Sequence, residues 1–186
     1  QRVALARALA YDPKVLLLDE PFGAVDAKIR IQLRKSLKGI VREMGVTTLM
    51  VTHDQQEAFE LADRIAVVNR GRIEQCALSS DVYYTPATRF TADFVGDINF
   101  MEGKVSAQGP DLCELELAIG SRVRRRGSYP FVPGRPVLYG IRPEQIRVSL
   151  LEPQAHENGI QGLIEKRLFL GDITQYAIRL EGEQLL

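Results

Sequence analysis

Residues 14–26 read KVLLLDEPFGAVD, an aliphatic run from Val15 to Leu18 that ends in two adjacent carboxylates, Asp19 and Glu20. Two acids side by side at the end of an apolar strand repel each other unless a cation or a proton transfer uses them. One carboxylate in that place can hold a hydrated Mg2+, and the second can orient or deprotonate a water attacking a γ-phosphate. His53 directly follows a second β-rich apolar stretch, Thr47 to Thr52, where an imidazole can reach a phosphate oxygen. Each residue taken alone has a plainer reading. Any strand can end in solvated acids, and a lone histidine is more often a satisfied core or surface group.

The surrounding pattern places these residues together. Residues 2–10, RVALARALA, are good helix formers with Val3, Leu5/Ala6 and Leu9/Ala10 on one face, and Asp12-Pro13 stops them. The VLLL run is short and apolar on both faces, as a central parallel strand should be. From Asp26 to Met44 a helical spacing of Ile29, Leu33, Leu37, Ile40 and Val41 follows, with Gly45 placed to cap it. Asp54 to Glu57 reads as a D-x-x-E capping box for a short helix that turns Ala58, Phe59, Leu61 and Ala62 inward. IAVVN, a turn at Arg70-Gly71 and RIEQC predict a hairpin. Strand, helix, strand, helix, strand predicts an α/β layer with a parallel sheet, whose ligands sit at the carboxyl ends of the strands. Asp19, Glu20 and His53 all fall at such ends.

Beyond residue 79 the texture changes. Residues 80–95 read as two short helices broken at Thr85-Pro86, and from Phe100 onward short alternating runs punctuated by Gly and Pro predict a small β-barrel. The boundary falls near Gly96, giving segments 1–78, 79–96 and 97–186.

Charge is balanced, with 24 basic and 24 acidic residues, which argues against bulk attraction to nucleic acid or an anionic lipid surface. Cys76 and Cys113 form neither a CxxC pair nor a disulfide framework, which favours a reducing compartment. No apolar run approaches the ~18 residues of a bilayer span and no segment reads as a secretory signal, so a soluble or peripheral chain is expected. The first residue is Gln1, inside an expected helix, which points to a fragment. The arginines at 122, 124, 125 and 126 read as a solvated hairpin rather than an anion site. Arg142 reads as structural, paired locally with Glu144, His156 as a loop residue, and Tyr83, Tyr84 and Phe90 as packing groups.

Together these residues resemble the ATP-binding cassette (ABC) transporter ATPases. VLLLDEP resembles the Walker B strand with its adjoining glutamate, GAVD the D-loop, TLMVTHD the switch-histidine segment, and QRVALARALAYDPK the helix after the LSGGQ signature. The resemblance implies Asp19 for the Mg2+ shell through water, Glu20 as general base, Asp26 for contact across a dimer and His53 for sensing the γ-phosphate, with ATP and Mg2+ as cofactors. No GxxxxGK[ST] occurs in the 186 residues, nor does the signature itself. The expectation is therefore the C-terminal part of a cassette that lacks a central sheet strand as well as the phosphate cradle, and is inactive alone. RFTADFVGDINFMEG, YGIRPEQIRV and GLIEKRLFLGDITQYAIRLEGEQLL resemble the linker and strands of the OB-like TOBE domain of ABC importers, cut short at Leu186. QCALSSDVYY departs from the family's glycine-containing wording.

The fold class implied is α/β, a partial P-loop NTPase sheet followed by a small all-β TOBE domain. The function implied is the ATPase subunit of an importer, nearest the polyamine and ferric-iron branches, peripheral at the cytoplasmic face of the cell membrane. Implied partners are a second ATPase subunit, transmembrane permease subunits and, indirectly, a solute-binding protein, with no nucleic acid. The rival reading is a non-transport module whose OB-like domain binds a small oxyanion or a protein on an inactive cassette scaffold. Glu20, Asp26 and His53 occurring together argue against it.

Overall fold

A parallel strand pair needs a long crossover, and this chain supplies it with one capped helix. In the computed structural model, which describes residues 2–23, 25–127, 129–149 and 158–180, β1 (Val15–Asp19) pairs in parallel with β2 (Thr47–Val51). Between them runs α2 (Ala27–Met44), preceded in the chain by α1 (Arg2–Leu9). Asp26 opens α2 by accepting a hydrogen bond from Ile29 N, and Gly45 closes it at φ 61°, donating to the carbonyls of Arg42 and Val41. A β-carbon is strained at that φ, which is why a glycine serves there.

The same unit, Gln1–Gly96, continues through α3 (Gln55–Leu61), β3 (Arg64–Asn69), β4 (Arg72–Leu78), α4 (Ser79–Tyr84) and α5 (Arg89–Phe94). β3 and β4 form an antiparallel hairpin whose turn residues, Arg70 and Gly71, both have positive φ, the geometry that matches strand twist. Val67, Val82 and Val95 are buried together, with Phe59, Tyr83 and Phe90 packed against them. β4 runs directly into α4 at Ser79, so the missing glycine after Cys76 is not needed for a turn. Cys76 is exposed.

Periodicity misplaces several faces in this unit, while the central strand that the sequence is expected to lack is indeed without a counterpart among the described residues. β1 is covered on one face only: Leu16 is 3% exposed, but Val15 and Leu17 are 55% and 70% exposed, and Leu49 and Val51 on β2 share the bare face through the strand register. Among the described residues the pair has no third strand, and β3 pairs only with β4. α1 likewise exposes Val3. On α2 the buried face includes Arg34 and Leu37 while Ile29 is exposed, because α2 meets α3 through polar groups. Arg34 Nε lies 2.8 Å from Glu60 Oε2, and Lys38 Nζ donates to the Glu60 carbonyl.

The second unit, Asp97–Leu186, is built on an antiparallel sheet in the order β7-β6-β5-β8, from β5 (Asn99–Gln108), β6 (Leu112–Leu117), β7 (Arg122–Arg126) and β8 (Pro136–Ile141). A separate hairpin joins β9 (Gly162–Phe169) to β10 (Thr174–Leu180). Met101, Leu117, Val123 and Leu180 form one buried cluster, and Val105, Cys113 and Leu115 a second. Each such side chain contributes roughly 1.5–3 kcal/mol relative to exposure. Gly103 lets β5 and β6 approach closely, since a β-carbon there would lie 2.7 Å from the Glu116 carbonyl oxygen. Among the described residues no strand pairing closes this unit into the expected barrel.

The arginine stretch of β7 is a solvated sheet edge. Arg122 and Arg124 stand opposite Glu116 and Glu114, and Arg124 Nε is 2.7 Å from Glu114 Oε1. Asn158 brackets Arg124, accepting from its backbone N–H at 2.7 Å and donating to its carbonyl at 2.8 Å. Arg125 donates to the Tyr129 hydroxyl. Arg142 is buried and donates to the Asp97 carbonyl at 3.1 Å. His156 lies outside the described residues.

Strand protection should follow this packing. Amides of β5, which has a partner on each side and buried side chains at Met101 and Val105, are expected to exchange hydrogen more slowly than those of β1 and β2. Hydrogen-exchange mass spectrometry checks this, and slow exchange in β1 and β2 with fast exchange in β5 contradicts it.

Candidate functional site

The strand pairing delivers the acidic pair and the histidine to one end of the sheet. Asp19 is the last paired residue of β1, opposite Val51, and Glu20 N then donates to the Val51 carbonyl at 2.9 Å. There the chain turns: Glu20 has φ 42°, and its carbonyl accepts from Gly23 N at 3.2 Å. A non-glycine residue in the left-handed region costs about 1–2 kcal/mol and marks a place where the surroundings dictate the backbone. The turn aims the Glu20 carboxylate across the strand ends at His53, two residues past β2.

Glu20 Oε1 and His53 Nδ1 are 2.9 Å apart. An ionised carboxylate only accepts, so Nδ1–H is the donor and Nε2 points elsewhere. The hydrogen bond and the charge of Glu20 raise the His53 pKa above 6.5, opposed by desolvation and aided by smaller contributions from Glu57 and Asp54. His53 is the exposed member of the pair, with 77% of its side chain accessible against 52% for Glu20. Because the folded pKa is raised, the stability contributed by the charged pair is fully present below the unfolded value of 6.5 and is lost as pH rises through the folded value.

The residues flanking His53 are tied down. Thr52 Oγ1 donates to Glu57 Oε2 at 2.7 Å and accepts from Asp54 N at 3.0 Å. Asp54 Oδ1 accepts from Gln56 N and Glu57 N, capping α3. The expected capping box is therefore half formed: the buried Glu57 carboxylate turns to Thr52, and the hydroxyl takes the Asp54 N–H that a box would give to Glu57. Glu20, Gly23, Arg30, Thr52, His53, Asp54 and Glu57 line one shallow concavity.

Of the four residues singled out in the sequence, the structure brings Glu20 and His53 into contact. Asp19 is exposed, and its carboxylate makes no hydrogen bond or ion pair among the described residues. Asp26 is exposed and occupied in capping α2. Thr52, Asp54 and Arg30 complete the surroundings. Both Thr52 and Asp54 flank the histidine and the capping box marks Asp54, whereas nothing in the spacing marks the Thr52 side-chain contacts or Arg30. Among the described residues no three His, Cys, Asp or Glu side chains group to cage a metal. A free carboxylate at a strand end suits Mg2+, which keeps most of its waters and takes one or two carboxylates plus substrate phosphates.

Comparison with known proteins gives this geometry a context. Residues 139–186 match the TOBE domain family. Over 181 residues the chain is 44% identical to the spermidine/putrescine import ATP-binding protein PotA of Rubrobacter xylanophilus, covering 96% of this chain and 47% of that protein. It is 42% identical over 187 residues to the PotA of Acidothermus cellulolyticus, covering all of this chain and 49% of the relative. By these matches the chain is similar to importer-type ABC ATP-binding proteins with a TOBE domain. It spans about half the length of the curated relatives it matches. No helix among its described residues is long and apolar enough to cross a membrane.

Two outcomes test the site. In nuclear magnetic resonance titrations His53 is expected to titrate above 6.5, and Glu20→Gln to return it toward 6.5; an unchanged His53 in the variant contradicts the pairing. Glu20→Gly is expected to be more stable than Glu20→Ala by about 1 kcal/mol in urea unfolding, because both remove the carboxylate and only glycine relieves the positive φ. Equal stabilities contradict the strain.

Proposed function

We propose that this chain is part of the ATP-hydrolysing subunit of an ABC importer, with polyamines as the transported class. The observation that carries the reading is the 2.9 Å contact between Glu20 at the end of β1 and His53 after β2, in a chain similar throughout to import ATP-binding proteins. The relatives' names favour the polyamine side of the sequence expectation and give no support to ferric iron.

In this reading Glu20 is the general base. Its Oε1 is held by His53, so the carboxylate is oriented, and its other oxygen is left to accept a proton from water. His53, with Nδ1–H committed to Glu20, presents Nε2–H as a donor toward a γ-phosphate oxygen in its protonated form, which Glu20 favours. Asp19 would hold Mg2+ through water, and the ion when bound would neutralise phosphate charge. Asp26, fixed at the start of α2, would meet the second ATPase subunit. ATP, a paired ATPase subunit, transmembrane permeases and a position at the cytoplasmic face of the membrane belong to the same proposal.

Among the described residues β1 and β2 pair only with each other and β3 pairs only with β4, which supports the view that a further strand belongs at a free edge of the parallel pair. A partial P-loop NTPase sheet followed by an OB-like TOBE domain accounts for both units. Because the phosphate cradle is absent from the 186 residues, the isolated chain is expected neither to bind MgATP at micromolar concentration nor to hydrolyse it. Calorimetry on the purified chain checks the binding. In the longer protein, assayed with its permeases in liposomes, Glu20→Gln is expected to leave nucleotide binding intact and slow hydrolysis about a hundredfold. Hydrolysis near the unsubstituted rate removes Glu20 from the role of base.

A further inference from the structure

Arg30 lies in the second turn of α2 and belongs to none of the motifs that point to ATP chemistry. Its guanidinium nevertheless touches both turns that carry the reacting pair. Nη2 donates to the Val25 carbonyl at 3.0 Å, at the end of the turn that leaves Glu20. Nη1 lies 3.4 Å from Asp54 Oδ2, on the residue after His53. Its Nε is buried without a partner, a desolvated N–H that a purely solvated arginine would not carry.

Beside the Glu20 N to Val51 carbonyl rung and the Glu20–His53 contact itself, the other contacts of these turns are local. Thr52 and Asp54 hold the His53 backbone to α3, and Gly23 N holds the turn to Glu20 itself. Asp54 divides its carboxylate, one oxygen capping α3 and the other facing Arg30. A forked, planar cation can hold a carbonyl and a carboxylate at once; a lysine ammonium, a single point on a flexible stem, cannot reproduce that geometry.

We propose that Arg30 is a positioning residue that fastens the turn after Glu20 to the turn carrying His53, so that the Glu20–His53 contact depends on both arms of its guanidinium. The proposal rests on the reading of Glu20 and His53 as a working pair and adds to it a residue that touches neither. It couples Val25 to the histidine turn, and any partner that displaces Val25 would release His53 through Arg30.

Charge and position predict opposite signs, which makes the inference testable in the chain itself. The charged groups facing His53 are the acids Glu20, Asp54 and Glu57, with Arg30 beside Asp54. If Arg30 acted only as a positive charge, removing it would raise the His53 pKa. If it holds the turns together, removing it loosens the pair and the pKa falls toward 6.5. The experiment is an imidazole titration by nuclear magnetic resonance of the 186-residue chain in a His156→Gln background, where His53 is the one remaining histidine. The expected result is a fall in both Arg30→Ala and Arg30→Lys, with far-ultraviolet circular dichroism unchanged. Should Arg30→Ala fail to fold, Arg30→Lys, which keeps the charge and the helix propensity, decides alone. A rise or no change in either folded variant, or a wild-type titration in Arg30→Lys, overturns the proposal. Glu20→Gln is measured alongside: if it leaves His53 unmoved the pair itself is wrong and the proposal falls with it, whereas a shift there with none in the Arg30 variants overturns Arg30 alone.

Discussion

The hydrogen bond from Glu20 N to the Val51 carbonyl is the last rung of the β1–β2 ladder, and it fixes where two chemically different turns begin. One rung earlier the chains are regular strand, with Asp19 opposite Val51. One residue later Glu20 is in the left-handed region and the chain reverses toward Asp26. Because the strands are parallel, both turns emerge on the same side, and a carboxylate and an imidazole separated by 33 residues meet at hydrogen-bond distance. Were β2 to slip by one residue against β1, His53 would leave the reach of Glu20, since a single-residue slip exchanges the faces of a strand.

Helix α2 turns that register into a defined geometry. Its start is set by Asp26 and its end by Gly45, so its length matches the return from β1 to β2. Its inner face is only partly apolar: Leu37 is buried, but Arg34 is buried with it and Glu60 answers from α3. An ion pair in that position does more to specify how two helices meet than to stabilise them, because desolvation offsets much of its attraction.

Much of this was legible in the sequence. Asp26 and Gly45, the Arg70-Gly71 turn and the break at Thr85-Pro86 are local signals, and local geometry obeys them. The strand ends at Asp19 and Val51 were legible because apolar runs stop where polar residues begin. What periodicity cannot report is the partner of a face. It assigned Ile29 to the interior and missed Arg34, since the surface against α2 is the polar α3 rather than a greasy layer. It read β1 as apolar on both sides, correctly for composition, while Val15 and Leu17 stay largely exposed. The left-handed backbone at Glu20 and the bridging by Arg30 arise from contacts across the fold, and no spacing announces them.

Asn158 has a further consequence for the second unit. As the outermost strand of its sheet, β7 offers backbone groups to any passing extended chain, and such an edge invites one molecule to stack on the next. At Arg124 one amide side chain takes up both the N–H and the C=O, imitating a strand one residue long. The arginines on either side crowd the remaining edge with like charge, so a second β7 brought alongside meets repulsion before it meets a hydrogen bond. The sheet thus ends in a stop built from a segment that is not itself a strand, and its width is limited without a covering helix.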